Sequence, residues 1–263
     1  MSDAQFDAAC LAMADFADLK SPYSVGHSRA VSALAEEAAR RYGLPKGDAV
    51  DLARAGLLHD IGQVGVPARI WLKAATFNDS DWEQVRLHTY YGERVLARPA
   101  ALAHLGAIIG QHHERGDGTG YHRGARAEAL SAQGKILAAA DAYQNKIEAR
   151  PHREALSAHA AADALRREVR DGRLDGDAVA AVLAAAGHSV PKRKELIAGL
   201  TGREIDVLRA IARGQSTKLI ARALAIAPKT VDNHTQSIFA KIGVNTRGGA
   251  TLFAIEHGLW CAS

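Results

Sequence analysis

A dispersed set of histidines and aspartates is the part of this chain with chemical potential. His59 and Asp60 are adjacent in Gly56-Leu57-Leu58-His59-Asp60-Ile61-Gly62. His27 precedes them, His88 follows, and the pair His112-His113 stands just before a glycine-rich loop. Asp141 lies in Leu137-Ala138-Ala139-Ala140-Asp141-Ala142. A carboxylate among alanines and leucine is costly to bury unless it is paired or bound to metal. Imidazole combined with carboxylate suits mid-row transition metals. Each feature alone recurs by chance, and a lone helical histidine is usually a surface or hydrogen-bonded core residue. His104, His122, His152, His159, His188 and His257 are read that way with respect to metal.

The elements that must position these groups are helical. Alanine, the best helix former, is plentiful, aromatic residues make up 5%, and no alternating Val/Ile/Thr runs argue for strands. The predicted class is all-α. Helices are expected over 24–42, stopped by Gly43 and Pro45, and over 46–60, closed by Gly62. Others are expected over 80–96, 100–113, 132–148, 152–170 and 177–186. His59-Asp60 and His112-His113 then end helices, and Asp141 lies within one. The pattern breaks after Gly187, which sets a first domain at 1–187, a linker at 188–198 and a second domain at 199–263.

The second domain reads as four short amphipathic helices. Thr201 and Ser216 cap the first two, Thr201 forming a capping box with Glu204. Ala227-Pro228 makes a turn, and the third helix runs over 229–242. The net charge of +4 is unevenly divided. From Pro191 onward Lys and Arg exceed Asp and Glu by six, which leaves −2 for the rest. A basic module on a slightly acidic one suits a polyanionic partner.

From Leu200 to Arg247 the chain resembles the helix-turn-helix of the LuxR/GerE family, through Leu200-Thr201-Gly202-Arg203-Glu204, Ser216-Thr217-Lys218, Ile220-Ala221, Lys229-Thr230-Val231 and Lys241-Ile242-Gly243-Val244. The resemblance implies a third helix in the major groove of double-stranded DNA, with Val231 and Ile238 in the core. Asp232, Asn233 and Gln236 would face bases, and Lys218, Lys229, Thr230, His234 and Lys241 would lie near phosphates. Asp232 departs from the basic or neutral residue frequent there. Modules of this type act as dimers on paired half-sites, so a homodimer is expected.

From Tyr23 to Arg153 the chain resembles the HD superfamily, and within it the HD-GYP branch. The resemblance rests on His59-Asp60-Ile61-Gly62-Gln63-Val64-Gly65-Val66-Pro67, His112-His113-Glu114-Arg115-Gly116-Asp117-Gly118-Thr119-Gly120-Tyr121-His122, Asp141-Ala142-Tyr143 and Arg150-Pro151-His152-Arg153. It implies a helical HD-type domain that holds two divalent transition metal ions, iron or manganese, and hydrolyses cyclic di-GMP. His27, His59, Asp60, His88, His112, His113 and Asp141 match metal ligands. Asp60 would bridge, with His27, His59 and Asp141 on one metal and His88, His112 and His113 on the other. Arg150 and Arg153 match a pair near substrate phosphate.

Departures from the family pattern bear on activity. Gln63 stands at a catalytic position usually occupied by Lys and supplies no charge to the scissile phosphate. The Gly-Tyr-Pro signature becomes Gly120-Tyr121-His122. Tyr23 replaces a glutamate ligand of some members, which favours two metals over three. Asn145-Lys146 replace small or apolar residues. Two readings follow: a metal-dependent phosphodiesterase that also regulates transcription, or a nucleotide-sensing transcription factor whose HD domain only binds ligand. A purely structural metal domain is disfavoured, since such sites close with four ligands.

Residues 1–20 lack the basic start and apolar run of a signal peptide, and no apolar stretch is long enough to span a bilayer. Cys10 and Cys261, near opposite ends, read as free thiols in a reducing cytoplasm.

Overall fold

The computed structural model describes residues 2–189, 198, 200, 202–224 and 226–259, and it divides into two compact units, Met1–Val190 and Pro191–Ser263. All regular elements among the described residues are helical, with no strand. Most of the expected linker lies outside the described residues. Among those described, no helix is long and apolar enough to cross a membrane.

The first unit begins with a helix that the sequence reading missed, α1 (Asp3–Asp18), opened by a Ser2/Gln5 capping box. It is followed by α2 (His27–Tyr42), α3 (Lys46–Leu58), a 3-10 turn (Ile61–Gly65), α4 (Ala68–Trp71) and α5 (Asp79–Leu96). Then come α6 (Ala103–Ile109), α7 (Ala132–Ile147), α8 (Ala158–Arg170) and α9 (Gly176–Ala185). Their shared core is small and aliphatic: Val31, Ala35, Leu52, Leu58, Leu105, Ile109, Leu137, Ala139 and Val182 are each at or near zero exposure. Small residues let helices approach closely. A Cβ on Gly56 would lie 2.6 Å from Ser32 Cα, so α3 rests almost backbone to backbone on α2.

Three expected helices are shorter than predicted by three residues or more, each for a local reason. The helix expected from 24 starts at His27, because Gly26 is left-handed at φ 84°. The 100–113 helix covers only Ala103–Ile109, since the His112 ring takes the Ile109 carbonyl that a continuing helix would give to the 113 amide. The 152–170 helix starts at Ala158 behind a Ser157 cap, because Arg150 and Arg153 exchange backbone hydrogen bonds in a tight turn.

The second unit contains α10 (Gly202–Ala212), α11 (Thr217–Ala223), α12 (Pro228–Ile242) and α13 (Arg247–Glu256) around Leu208, Ile220, Val231, Ile238 and Ala254. Ser216 caps α11, and Gly243 in the left-handed region ends α12. Thr201, and with it the expected capping box, lies outside the described residues.

Candidate metal centre

The first unit brings all seven expected ligands to one buried point. His27 opens α2, His59 and Asp60 follow α3, and His88 sits in α5. His112 and His113 follow α6, and Asp141 is in α7. All are buried except His113, which is partly exposed. Asp60 turns one oxygen toward each half of the cluster. Its Oδ2 lies 3.4 Å from His59 Nε2 and 3.8 Å from His27 Nε2. Its Oδ1 lies 3.4 Å from His88 Nε2 and 3.8 Å from His112 Nε2. Asp141 completes the first half, with Oδ1 3.4 Å from His27 Nε2 and Oδ2 3.8 Å from His113 Nδ1.

The donor atoms fit metal ions. His59 Nδ1 is 2.8 Å from the Gly56 carbonyl, and His88 and His112 make the equivalent bonds to Val85 and Ile109. A ring that donates Nδ1–H in its neutral form presents a bare Nε2 lone pair, as in metal-ligating histidines. His88 Nε2 and His112 Nε2 then face each other at 3.2 Å, a repulsive pair that a shared cation relieves. Buried His27 Nε2 and His59 Nε2 have no hydrogen-bond partner of good geometry, although carboxylates lie within 4 Å. Such orphaned buried atoms call for an ion.

Without metal the cluster sorts its protons by half. Burial pulls His27 down, but Asp141, Glu148 and Asp60 outweigh it and raise its pKa to about 10. His59 is raised for similar reasons. Burial and neighbouring imidazoles push His112 down to about 3 and also lower His88 and His113. Burial opposes ionisation of Asp60 and Asp141, yet the histidines hold both carboxyls well below the usual range. A metal needs the unprotonated ring. Below a pKa near 10 its entry at His27 must expel a proton, so affinity rises with pH up to that value. Calorimetry of manganese binding at pH 7.5 in buffers of different ionisation enthalpy should show about one proton or more released; no release would contradict this electrostatic picture.

Glu148 escaped the sequence reading. It follows α7 seven residues after Asp141, on the same helical face, and its Oε2 accepts from His27 Nδ1 at 2.8 Å. This carboxylate fixes the His27 ring with Nε2 toward Asp141 and Asp60. The Asp141/Glu148 spacing of two turns was the available signal. Glu148→Ala is expected to weaken metal binding on the His27 side about 10–100-fold, with a smaller loss for Glu148→Gln; equilibrium metal titration measures both. Glu114 was also missed. Its buried carboxylate accepts from the Arg123 and Ala125 amides at 2.7 and 2.8 Å and ties down the loop beyond His113.

A cavity opens onto the expected ligands Asp60, His88 and His113, and Gln63, Arg150 and Arg153 line it. The arginines are already engaged. Arg150 donates to Asn145 and Glu148 side chains and to the Tyr23 carbonyl, and Arg153 to the carbonyls of Asn145, Lys146 and Glu148. Tyr23 contributes that carbonyl, while its side chain is 43% exposed. Asn145 Nδ2 donates to Asp141 Oδ1 at 2.6 Å, which gives the unexpected Asn a supporting place. Tyr121 packs on His113, ring centroids 4.8 Å apart. His122, in place of proline, meets Thr89 Oγ1 at 3.2 Å and Glu93 at 3.4 Å, so side-chain contacts to α5 anchor the loop.

In the second unit, Lys218, Lys229, Asp232, Asn233 and Gln236 are exposed, and Thr230 and His234 are half-buried. Lys241, expected at a phosphate, pairs with buried Glu204, Nζ lying 2.7 and 2.9 Å from its two oxygens. Ser237 donates to the same carboxylate at 2.6 Å. Lys241→Ala should therefore destabilise this unit by about 1.5–3 kcal/mol, the range for a lost hydrogen bond to a charged group. Thermal unfolding checks this. A fall of about one in the salt slope of DNA binding would support the phosphate role as well.

The first unit is all-helical and carries a buried histidine–aspartate cluster, and the second, among the described residues, is a small unit of four short helices. The chain belongs to the HD domain family, whose model matches residues 12–178. Residues 198–254 match the model of bacterial regulatory proteins of the luxR family. The 3'3'-cGAMP-specific phosphodiesterase 3 of Vibrio cholerae is 35% identical over 156 residues, 59% of this chain and 34% of that protein. A cyclic di-GMP phosphodiesterase of Thermotoga maritima is 35% identical over 129 residues, 48% of this chain and 35% of that one. One from Pseudomonas aeruginosa is 35% identical over 167 residues, 63% and 40%. This chain thus spans 34–40% of the length of these three relatives. A solved HDG"Y"P protein from Bdellovibrio bacteriovorus shares the fold at TM-score 0.54 and 21% identity, over 64% of this chain and 53% of that one.

Proposed function

We propose that this chain is a DNA-binding transcriptional regulator whose HD unit hydrolyses a cyclic dinucleotide, cyclic di-GMP foremost. The observation that carries the reading is Asp60, with one carboxylate oxygen toward each of two histidine groups. His27, His59 and Asp141 would hold one divalent ion, iron or manganese, and His88, His112 and His113 the other. Such a pair, when bound, would supply Lewis acidity and a water of lowered pKa at the phosphodiester. The chain's own residues hold and orient. Glu148 and the backbone carbonyls fix the rings, and Asn145 steadies Asp141. Arg150 and Arg153 stand at the substrate cavity, and Gln63 offers it a hydrogen bond without charge. In the second unit, α12 would enter the major groove, with Asp232, Asn233 and Gln236 toward bases and Lys218, Lys229, Thr230 and His234 toward phosphates. A homodimer in the cytoplasm would suit paired half-sites.

The test is product analysis after incubating anaerobically purified, manganese- or iron-loaded protein with cyclic di-GMP and, separately, 3'3'-cGAMP. Linear dinucleotide or mononucleotide that disappears with chelator supports the enzyme. A sensor reading is favoured by the engaged guanidiniums of Arg150 and Arg153 and by the neutral Gln63. It requires bound nucleotide without product, together with altered DNA affinity. Neither product nor binding overturns both readings.

A further inference from the structure

One face of α5 is turned away from the metal centre and left open. At about 3.6 residues per turn, Asp79, Glu83, Leu87, Tyr90 and Arg94 fall within an arc of about 80°, and all five are exposed. Arg98 follows one turn on, just past the end of the helix. Leu87 and Tyr90 lie in the middle, 40% and 41% exposed. On one flank Val95, itself 54% exposed, and Val64 line an apolar groove that continues this surface. The acids of α5 that point off the face are paired within the unit, Asp81 with Lys73, and Glu93 with Arg123 and His122. Asp79, Glu83, Arg94 and Arg98 make no ion pair among the described residues. Arg94 and Arg98 are moreover like charges one turn apart, an arrangement that repels. The helix dipole favours acids at the start of a helix and bases at its end. It does not call for an exposed apolar pair between them on the same face.

The order along this face is acid, acid, apolar, apolar, base, base, and such an order is its own complement. Positions 79 and 98, 83 and 94, and 87 and 90 are each equidistant from the midpoint between His88 and Thr89. Two copies of α5 laid antiparallel about a two-fold axis at that midpoint set Glu83 against the partner's Arg94, Asp79 against the partner's Arg98, and Leu87 against the partner's Tyr90. Self-complementarity of this kind is what a two-fold interface requires. We infer that the exposed face of α5 is a homodimer interface, on which a second copy of this chain seats its own α5. The ion pairs then form a polar rim at each end of an apolar centre. A regulator that reads paired half-sites needs two copies; the inference rests on the regulator reading for that need, and it names the surface that meets it.

Sedimentation equilibrium of the full-length protein, without nucleotide or DNA, reads the dimer dissociation constant. The wild type is expected to dimerise in the micromolar range. Glu83→Arg alone and Arg94→Glu alone each turn attraction into repulsion at both symmetric sites, and each should weaken the dimer about tenfold or more. Mixed in equal amounts, the two variants restore every 83–94 pair and should associate with each other about as tightly as the wild type does with itself. The double variant Glu83→Arg/Arg94→Glu should likewise dimerise. Mixing cannot repair a fault in folding, so recovery isolates the contact between copies. A monomeric wild type overturns the inference. So do single variants that dimerise like the wild type, as they would if the second unit alone joined the copies, and weakened variants that mixing does not restore. Association is read without DNA, so a dimer that binds no DNA would strike the regulator reading and leave the interface standing.

Discussion

Asp60→Ala is expected to reduce turnover of a cyclic dinucleotide by on the order of 10³-fold or more, beyond the 10–100-fold typical of losing an outer partner. The reason is position. Asp60 alone among the expected ligands has an oxygen within 3.4 Å of a histidine nitrogen in each half of the cluster. Its removal leaves His27 and His59 on one side and His88, His112 and His113 on the other, with Asp141 as the remaining carboxylate, 3.4 Å from His27 and 3.8 Å from His113. Two like-charged ions would then face each other with less compensation, and metal content should fall to about one ion per chain or fewer. Asp60→Asn keeps an oxygen but not the charge and should fall between. Metal analysis beside product assay decides the point, and heating adds a second readout, because an ion that no longer binds no longer stabilises the fold. A variant that kept both ions and wild-type turnover would remove Asp60 from the centre of the argument.

Gly62→Ala should have the largest effect on stability of any change of one methyl group. A Cβ at Gly62 would sit 1.9 Å from the His88 carbonyl oxygen and 2.5 Å from the Gly92 amide nitrogen. Both are backbone atoms of α5, so no side-chain rotation relieves the clash; the turn after Asp60 and the helix carrying His88 must separate. Overpacking of this kind costs about 1–3 kcal/mol and more where backbone must move. At roughly 3 kcal/mol the melting temperature falls by about 6–12 °C. Because the displaced elements carry Asp60 and His88, metal affinity should fall with it. Gly47→Ala is the control. Nothing lies within 4 Å of a Cβ there, and alanine is the better helix former in α3. Equal melting temperatures for the Gly62 and Gly47 variants would show that α5 yields easily and that the close approach is not what positions His88.

Much of this was written in the chain's local pattern. Alanine content and glycine stops set an all-α fold, with α2 ending at Gly43 and α7 running from Ala132 almost to the predicted bound. Asp141 stood out because a carboxylate among alanines needs a partner, and the structure buries it against His27, His59 and His113. In the second unit, the Ser216 cap and the core places of Val231 and Ile238 depend on neighbours in sequence and appear as read, while Pro228 belongs to the first turn of α12 rather than to the turn before it. The tertiary structure decided what depends on distant residues. His27 and Glu148 are 121 positions apart, and only the packing of α2 against α7 places them 2.8 Å from each other. Lys241 reads as a surface cation until α10 brings a buried Glu204 beneath it. The orientation of the His59, His88 and His112 rings is likewise tertiary in effect: local carbonyls hold Nδ1, but only the convergence of distant chain segments gives each freed nitrogen the Asp60 carboxylate to face.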